Sequence, residues 1–214
     1  NAQMGVDWSL GHNAEVERLV EIYSVWGNSE RLEAAGNPRP IRNHGGEVAG
    51  RHVQDALKMG RRYGFIGGGD IHDGRPGDDL HCSQETPDQY RNLYRQGIMG
   101  VWAKGLTRED IFEALWNRRV YATSNVRLSL RFSVNGSPMG SEIKIGGDLE
   151  VTVEAASESP IARVDLVSNG ADVETKTPNE REGRWETTLK SPSADTCCYV
   201  RVLRADGEMA WSSP

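Results

Sequence analysis

The sequence contains no run of apolar residues approaching the roughly 18 that a membrane-spanning helix needs. This excludes a helical membrane span within these residues, and the N-terminus also lacks the basic and apolar regions of an export signal. The chain as given is therefore expected to be soluble. A signal could still lie upstream in a longer parent, so the parent's compartment, exported or not, stays open. Asn1-Ala2 before Gln3-Met4 has the look of a vector remnant, which would place the start of the chain in mid-protein. Basic residues are also in deficit, with 25 Lys and Arg against 31 Asp and Glu and a formal net charge of −6. That balance argues against a polyanion-binding surface, and neither nucleic acid nor membrane is expected as a partner. Cysteine is scarce: Cys82, Cys197 and Cys198. Adjacent residues of a strand point to opposite faces and no C-x-x-C pair is present, so these read as ordinary thiols rather than a disulfide or a zinc site.

What is present divides into two grammars. Up to about residue 127, apolar strand-like segments alternate with helical ones. Residues 19–24 read as a short buried strand, 47–62 as a helix, 63–70 as a strand running into glycines, 97–103 as a strand, 107–119 as a helix opened by Thr107, and 120–123 as a strand. This order favours parallel βα units. From Leu128 onward, short segments alternate apolar and polar residues: 128–134, 142–145, 149–155, 161–167, 184–190 and 198–204. Asn135-Gly136, Asn169-Gly170 and Asp206-Gly207 sit at the breaks, and these dipeptides favour hairpins. The expectation is an α/β part over residues 3–127 followed by a small antiparallel β-sandwich-like module over 128–214.

The chemistry concentrates at Gly67-Gly68-Gly69-Asp70-Ile71-His72, at the end of an apolar strand. Residues two apart in a strand face the same side, so Asp70 and His72 can offer an oxygen and an imidazole nitrogen to one cation. The glycines would admit backbone or substrate closely. Taken alone, an Asp-x-His pair more often describes a turn aspartate beside a surface histidine.

Further segments complete a pattern. Val20-Glu-Ile-Tyr-Ser24 with Gly27-Asn-Ser-Glu30 comes first, then Val53-Gln-Asp-Ala-Leu57 and Gly64-Phe-Ile-Gly-Gly-Gly-Asp-Ile-His-Asp-Gly74. Gly100-Val-Trp-Ala103, Thr107-Arg-Glu-Asp-Ile-Phe-Glu-Ala-Leu115 and Val120-Tyr-Ala-Thr123 follow in that order. Together they resemble the C-terminal part of a branch of the polymerase-and-histidinol-phosphatase (PHP) metallohydrolases, related to carbaryl-hydrolase-like enzymes. The resemblance runs over about residues 7–140, and Ala210-Trp-Ser-Ser-Pro214 is similar to the end of that branch's β module. It implies the C-terminal part of a distorted (βα)7 barrel with divalent metals (Zn, Mn or Fe) at the strand ends. Asp70 and His72 match its last ligand motif. The branch's opening H-x-H motif is absent from these residues, so the resemblance implies an incomplete catalyst with weak or no metal of its own.

Glu21, inside a characteristic segment, reads as a metal ligand, a carboxylate steadying one, or a charge satisfied by a nearby arginine. Glu30, His12, His44 and Arg75 are further candidates for metal or for a substrate anion, each weighed against an ordinary loop role. His52 and the His81-Cys82 pair read as structural or surface residues. Arg118-Arg119 reads as a cationic helix end favoured by the helix dipole. The leading functional expectation is a fragment of a metal-dependent hydrolase acting on a small-molecule phosphoester, ester or amide through metal-activated water. The alternative is a non-catalytic binding or scaffold protein whose β module holds a ligand. Open strand edges in a partial barrel also suggest a homodimer or exchange of elements between copies.

Overall fold

The computed structural model describes residues 5–42, 45–70 and 94–214. In chain order its main elements are β1 (Leu19–Ser24), β2 (Gly27–Asn28), α1 (Val53–Lys58), β3 (Gly64–Gly67), β4 (Ile98–Val101), α2 (Arg108–Trp116) and β5 (Val120–Thr123). They continue with β6 (Ser129–Val134), β7 (Ser137–Pro138), β8 (Leu149–Ser168), β9 (Ala171–Lys176), β10 (Glu180–Leu189), β11 (Cys198–Arg204) and β12 (Met209–Ser212). One sheet has three strands in the order β2-β1-β3. The other has nine, in the order β4-β5-β12-β11-β8-β6-β7, with β9 and β10 also paired to β8.

The barrel expectation is corrected by these pairings. The chain is predominantly β, with only two α-helices among the described residues, and a curled, antiparallel nine-stranded sheet stands where a (βα)7 barrel segment with a separate sandwich was expected. One strand pair is parallel, β1 with β3. β4 and β5, which flank α2, pair antiparallel. Residues 104–107 bend away after β4, the nine-residue α2 follows, and the excursion closes beside the end of β4, where the Trp102 amide donates to the Arg119 carbonyl at 2.9 Å. Strand-helix-strand order fits either direction of return.

The helices are shorter than the apolar periodicity suggests. Gly50 and Gly60, both at φ +80°, bracket α1, and at its start the His52 amide donates to Asp55 Oδ2 at 3.0 Å. Thr107 caps α2 by accepting from the Asp110 amide at 3.1 Å, and Asn117 followed by Arg118 at φ 56° ends it. The three turn dipeptides all sit at hairpins: Asn135-Gly136 between β6 and β7, Asn169-Gly170 between β8 and β9, and Asp206-Gly207 between β11 and β12. Asn135, Asn169 and their glycines have the positive φ that primed turns require.

β8 organises the large sheet. Its first half lies between β6 and β10, its second half between β11 and β9. Near residues 157–162 both β10 and β11 shift register against it. Such bulges increase local twist and curl a sheet, so two segments that look like separate strands are one bent strand. Residues 142–145, expected as a strand, have no regular structure.

Side chains from the inner face of the large sheet, among them Leu130, Phe132, Val153, Leu166, Val200 and Val202, form one core cluster. A second cluster, with Ile22, Tyr23, Phe65, Tyr199 and Trp211, joins the three-stranded sheet to the large one. Beside it lies a buried charge network. Arg201 bonds Glu30 at 2.7 Å, Asp165 at 2.9 Å and Asp172 at 2.7 Å. Glu30 also accepts from the Tyr199 hydroxyl at 2.6 Å and from Trp211 Nε1 at 2.8 Å.

Cys197 and Cys198 are free thiols, while Cys82 lies outside the described residues. Burial, with a contribution from Cys198, pushes the Cys197 thiol up to about 12, and burial pushes Cys198 up to about 11. At pH 8 about one Cys198 in a thousand would then be thiolate, and fewer at Cys197. Peptide mapping after a brief iodoacetamide pulse at pH 8 should find both unlabelled in native protein and labelled in urea. Fast native labelling of either would contradict this burial.

Candidate functional site

Glu21 and Asp70 reach the same end of the parallel β1-β3 pair. In the register Glu21 lies opposite Ile66, β3 ends at Gly67, and the chain continues through Gly68. The Gly68 amide donates to the Tyr23 carbonyl at 3.0 Å, and its carbonyl accepts from the Gly97 amide at 2.7 Å. The glycine chain is thus clamped between the exit of β1 and the approach to β4. Glycine is required at Gly67, which backbone atoms crowd, whereas at Gly68 and Gly69 the nearest atoms are the ends of two side chains. A Cβ on Gly67 would stand 2.8 Å from the Ile98 carbonyl oxygen and 3.0 Å from that of Thr123, and one on Gly68 would collide with Glu21 Oε1. A Cβ on Gly69 would come 2.6 Å from Gln96 Oε1. The Gly68-Gly69 main chain therefore passes directly beneath two oxygen-bearing side chains, Glu21 and Gln96.

Asp70 follows at φ 48°, a left-handed conformation that aspartate adopts more readily than most residues, and its side chain is exposed. Glu21 as a whole residue is also exposed, yet its carboxyl group is crowded at the strand end. That desolvation first, and the negative charge of Asp70 second, push its pKa up to about 7. The two carboxylates are therefore near enough to repel each other. Two hard oxygen donors whose repulsion a dication would relieve suit a divalent metal ion. Among the described residues no group of three or more His, Cys, Asp and Glu side chains converges on such a position.

The other sequence candidates fall in different places. His72, Arg75 and His44 lie outside the described residues. His12 pairs with Glu17 at 2.7 Å and touches the Tyr63 hydroxyl at 3.2 Å. Tyr63 immediately precedes β3, so His12 stands at the opposite end of that strand from Asp70. Glu30 is 1% exposed and committed to Arg201, Tyr199 and Trp211. The structure thus brings Glu21 and Asp70 together and holds His12 and Glu30 elsewhere. Sequence reasoning overlooked Gln96, which lies over Gly69, the third of three consecutive glycines.

Close by, the Tyr94 amide donates to the Val25 carbonyl at 2.8 Å, and the Tyr94 ring carries the Arg39 guanidinium 5.8 Å above it. Arg39 also bonds Glu208 at 2.9 Å and the Tyr23 hydroxyl at 3.3 Å. Burial pushes that phenol up to about 12, against the pull of Arg39. Tyr23 is therefore a neutral hydrogen-bonding group at ordinary pH.

Residues 65–144, which include the glycine clamp and Asp70, match a family model described as "Protein of unknown function (DUF3604)". An uncharacterised protein of Chlamydia pneumoniae is 33% identical over 218 residues, covering 94% of this chain and 34% of that protein. An uncharacterised protein of Chlamydia muridarum is 32% identical over 231 residues, covering 99% of this chain and 36% of that protein. One from Chlamydia trachomatis is 32% identical over 219 residues, at 94% and 34% coverage. No solved structure matches the chain. The chain spans about a third of the length of the curated relatives it matches.

Proposed function

We propose that the end of the β1-β3 pair is part of the active centre of a metal-dependent hydrolase, in line with the PHP resemblance of its motifs. The observation that carries this reading is the pairing of Glu21 with Asp70 above a backbone kept bare by glycine. Glu21 and Asp70 would hold a divalent cation (Zn, Mn or Fe) together with His72. Such a cation, when bound, activates water and polarises a phosphoryl or carbonyl oxygen.

The chain's own residues supply the rest. Asp70, exposed at the rim, presents a carboxylate to solvent and to an incoming substrate. Glu21 Oε1, lying over Gly68, fixes the distance between the second carboxylate and the main chain. Gln96, over Gly69, sets an amide oxygen on the same stretch of backbone. The Gly68-Gly69 segment, having no side chains of its own, lets Glu21 and Gln96 lie directly over the main chain, where a small-molecule ester or amide would meet their oxygens.

The test is hydrolysis of chromogenic phosphomonoesters, phosphodiesters and carboxylic esters by a protein spanning the full length of the relatives. Turnover of one class that is lost with EDTA and restored by Mn or Zn is the expected result. Turnover indifferent to EDTA, or none with any class after metal loading, counts against the reading.

A further inference from the structure

A cleft of about 310 Å³ lies at the opposite end of β3 from Asp70, between the residues that follow α1, the loop entering β5 and residues 139–145. Taking a water's share of volume as about 30 Å³, it has room for roughly ten non-hydrogen atoms. Its apolar lining includes the half-buried Leu57, Ile143 and Ile145. Its charged side chains are three arginines, 61, 62 and 118, against two acids, Glu142 and Asp195, and Pro214, whose backbone oxygen accepts from the Gly140 amide at 2.8 Å, also lines it. Arg61 turns away, donating to the Leu10 carbonyl at 2.9 Å and to that of Trp8.

Arg118 is the unusual member. The residue is only 8% exposed. Its Nη2 donates to Glu142 at 2.8 Å and to the Gly140 carbonyl at 3.2 Å. Its Nε and Nη1 donate to no atom of the described protein, and neither is sealed from solvent. Burial, then Arg18, and also Arg62 hold its pKa below the usual value, with Glu142 opposing them. It also occupies, at φ 56°, the position after a helix cap where glycine is ordinarily favoured. Gly140 presses on it so closely that a Cβ there would strike the carbonyls of Asn117 and Arg118. A strained backbone thus sets a largely buried guanidinium, with donors to spare, at the head of an apolar cleft. The helix-dipole account of Arg118 explains its charge but leaves its burial and its idle donors unexplained.

We propose that this cleft binds a small amphipathic monocarboxylate, with its head on Arg118 and its apolar body against Leu57, Ile143 and Ile145. A single negative charge fits better than two. Arg62 is exposed and already paired with Glu142, and Glu142 would repel a second charge. The site is independent of the metal reading, since it lies at the other end of β3.

Sodium octanoate, with ten non-hydrogen atoms, is a suitable probe, and calorimetric titration of the 214-residue chain at low salt should give a Kd of about 0.1–5 mM. Octanol and inorganic phosphate should each bind at least about tenfold more weakly. Arg118→Gly should weaken octanoate about tenfold or more; glycine relieves the φ of 56° but loses the bonds to Glu142 and Gly140, so the variant's folding is checked by its thermal melt. Glu142→Gln, at an exposed position, should have the opposite sign and tighten octanoate about threefold, because Arg118 and Arg62 lose their competing partner. Octanol binding as well as octanoate would overturn the proposal, as would unchanged affinity in a folded Arg118→Gly protein. If that variant unfolds, Glu142→Gln decides: tighter binding upholds the proposal, and equal or weaker binding overturns it. No heat with octanoate up to 10 mM also overturns it.

Discussion

Replacing Arg201 by Met is expected to destabilise the protein by about 3–5 kcal/mol in urea unfolding, the usual cost of stranding a buried charge. The geometry says which charge is stranded. Asp165 keeps Arg163 at 2.6 Å and Asp172 keeps Arg31 at 3.0 Å. Glu30 has Arg201 as its one ion-pair partner among the described residues. Without that guanidinium its carboxylate, with 1% side-chain exposure, retains only the neutral donors of Tyr199, Trp211 and Gln54. Adding Glu30→Leu to Arg201→Met should therefore recover about 1 kcal/mol or more, since removing both charges is cheaper than removing one. Additive losses from the two substitutions would mean that the pair is not coupled. The effect should reach the candidate site, because Glu30 follows β2, and β2 pairs with the strand that bears Glu21.

This network also shows where sequence reading stops. Glu30 and Arg201 are separated by 171 residues, and neither periodicity nor turn chemistry relates them. What could be read was local. Asn135-Gly136 and Asn169-Gly170 prescribe their own backbone angles, and Thr107 caps α2 through a hydroxyl three residues from its donor. The direction of the strand after α2 was not legible, because strand-helix-strand order fits a parallel or an antiparallel return, and the bend at residues 104–107 has no sequence signal that decides between them. β8 looked like two strands because the polar stretch about Ser157 and Pro160 interrupts its alternation, while pairing on both sides carries the strand across. At the candidate site, the sequence pointed to Asp70 through its motif and to Glu21 through its segment. Their convergence required the parallel register of β1 and β3, which the sequence leaves open.

Asp70→Asn, in a protein of the relatives' full length, should lower kcat/KM for the hydrolysed ester by about a hundredfold or more. The amide keeps the size and shape of the side chain but removes the negative charge that would hold a cation. Glu21→Gln should lose less than this if Glu21 only steadies the centre, for which about 10- to 100-fold is typical. Thermal stability should hold in Asp70→Asn, because Asp70 is exposed and an asparagine tolerates its positive φ. An Asp70→Asn protein with full activity would remove this residue from the chemistry. An inactive but unfolded one would be resolved by Asp70→Glu, which keeps the charge and should restore part of the activity if metal binding is the role.

If Glu21 and Asp70 share one cation, a Mn²⁺ titration of the 214-residue chain followed by electron paramagnetic resonance should show it. With few protein ligands, binding should be weak, with a Kd of about 0.1–1 mM and water completing the coordination. Asp70→Asn and Glu21→Gln should each weaken it, and the double variant should be little worse than the more damaging single one, because both act on the same ion. Mn²⁺ affinity unchanged in the double variant would contradict the account, whatever the affinity of the unaltered chain.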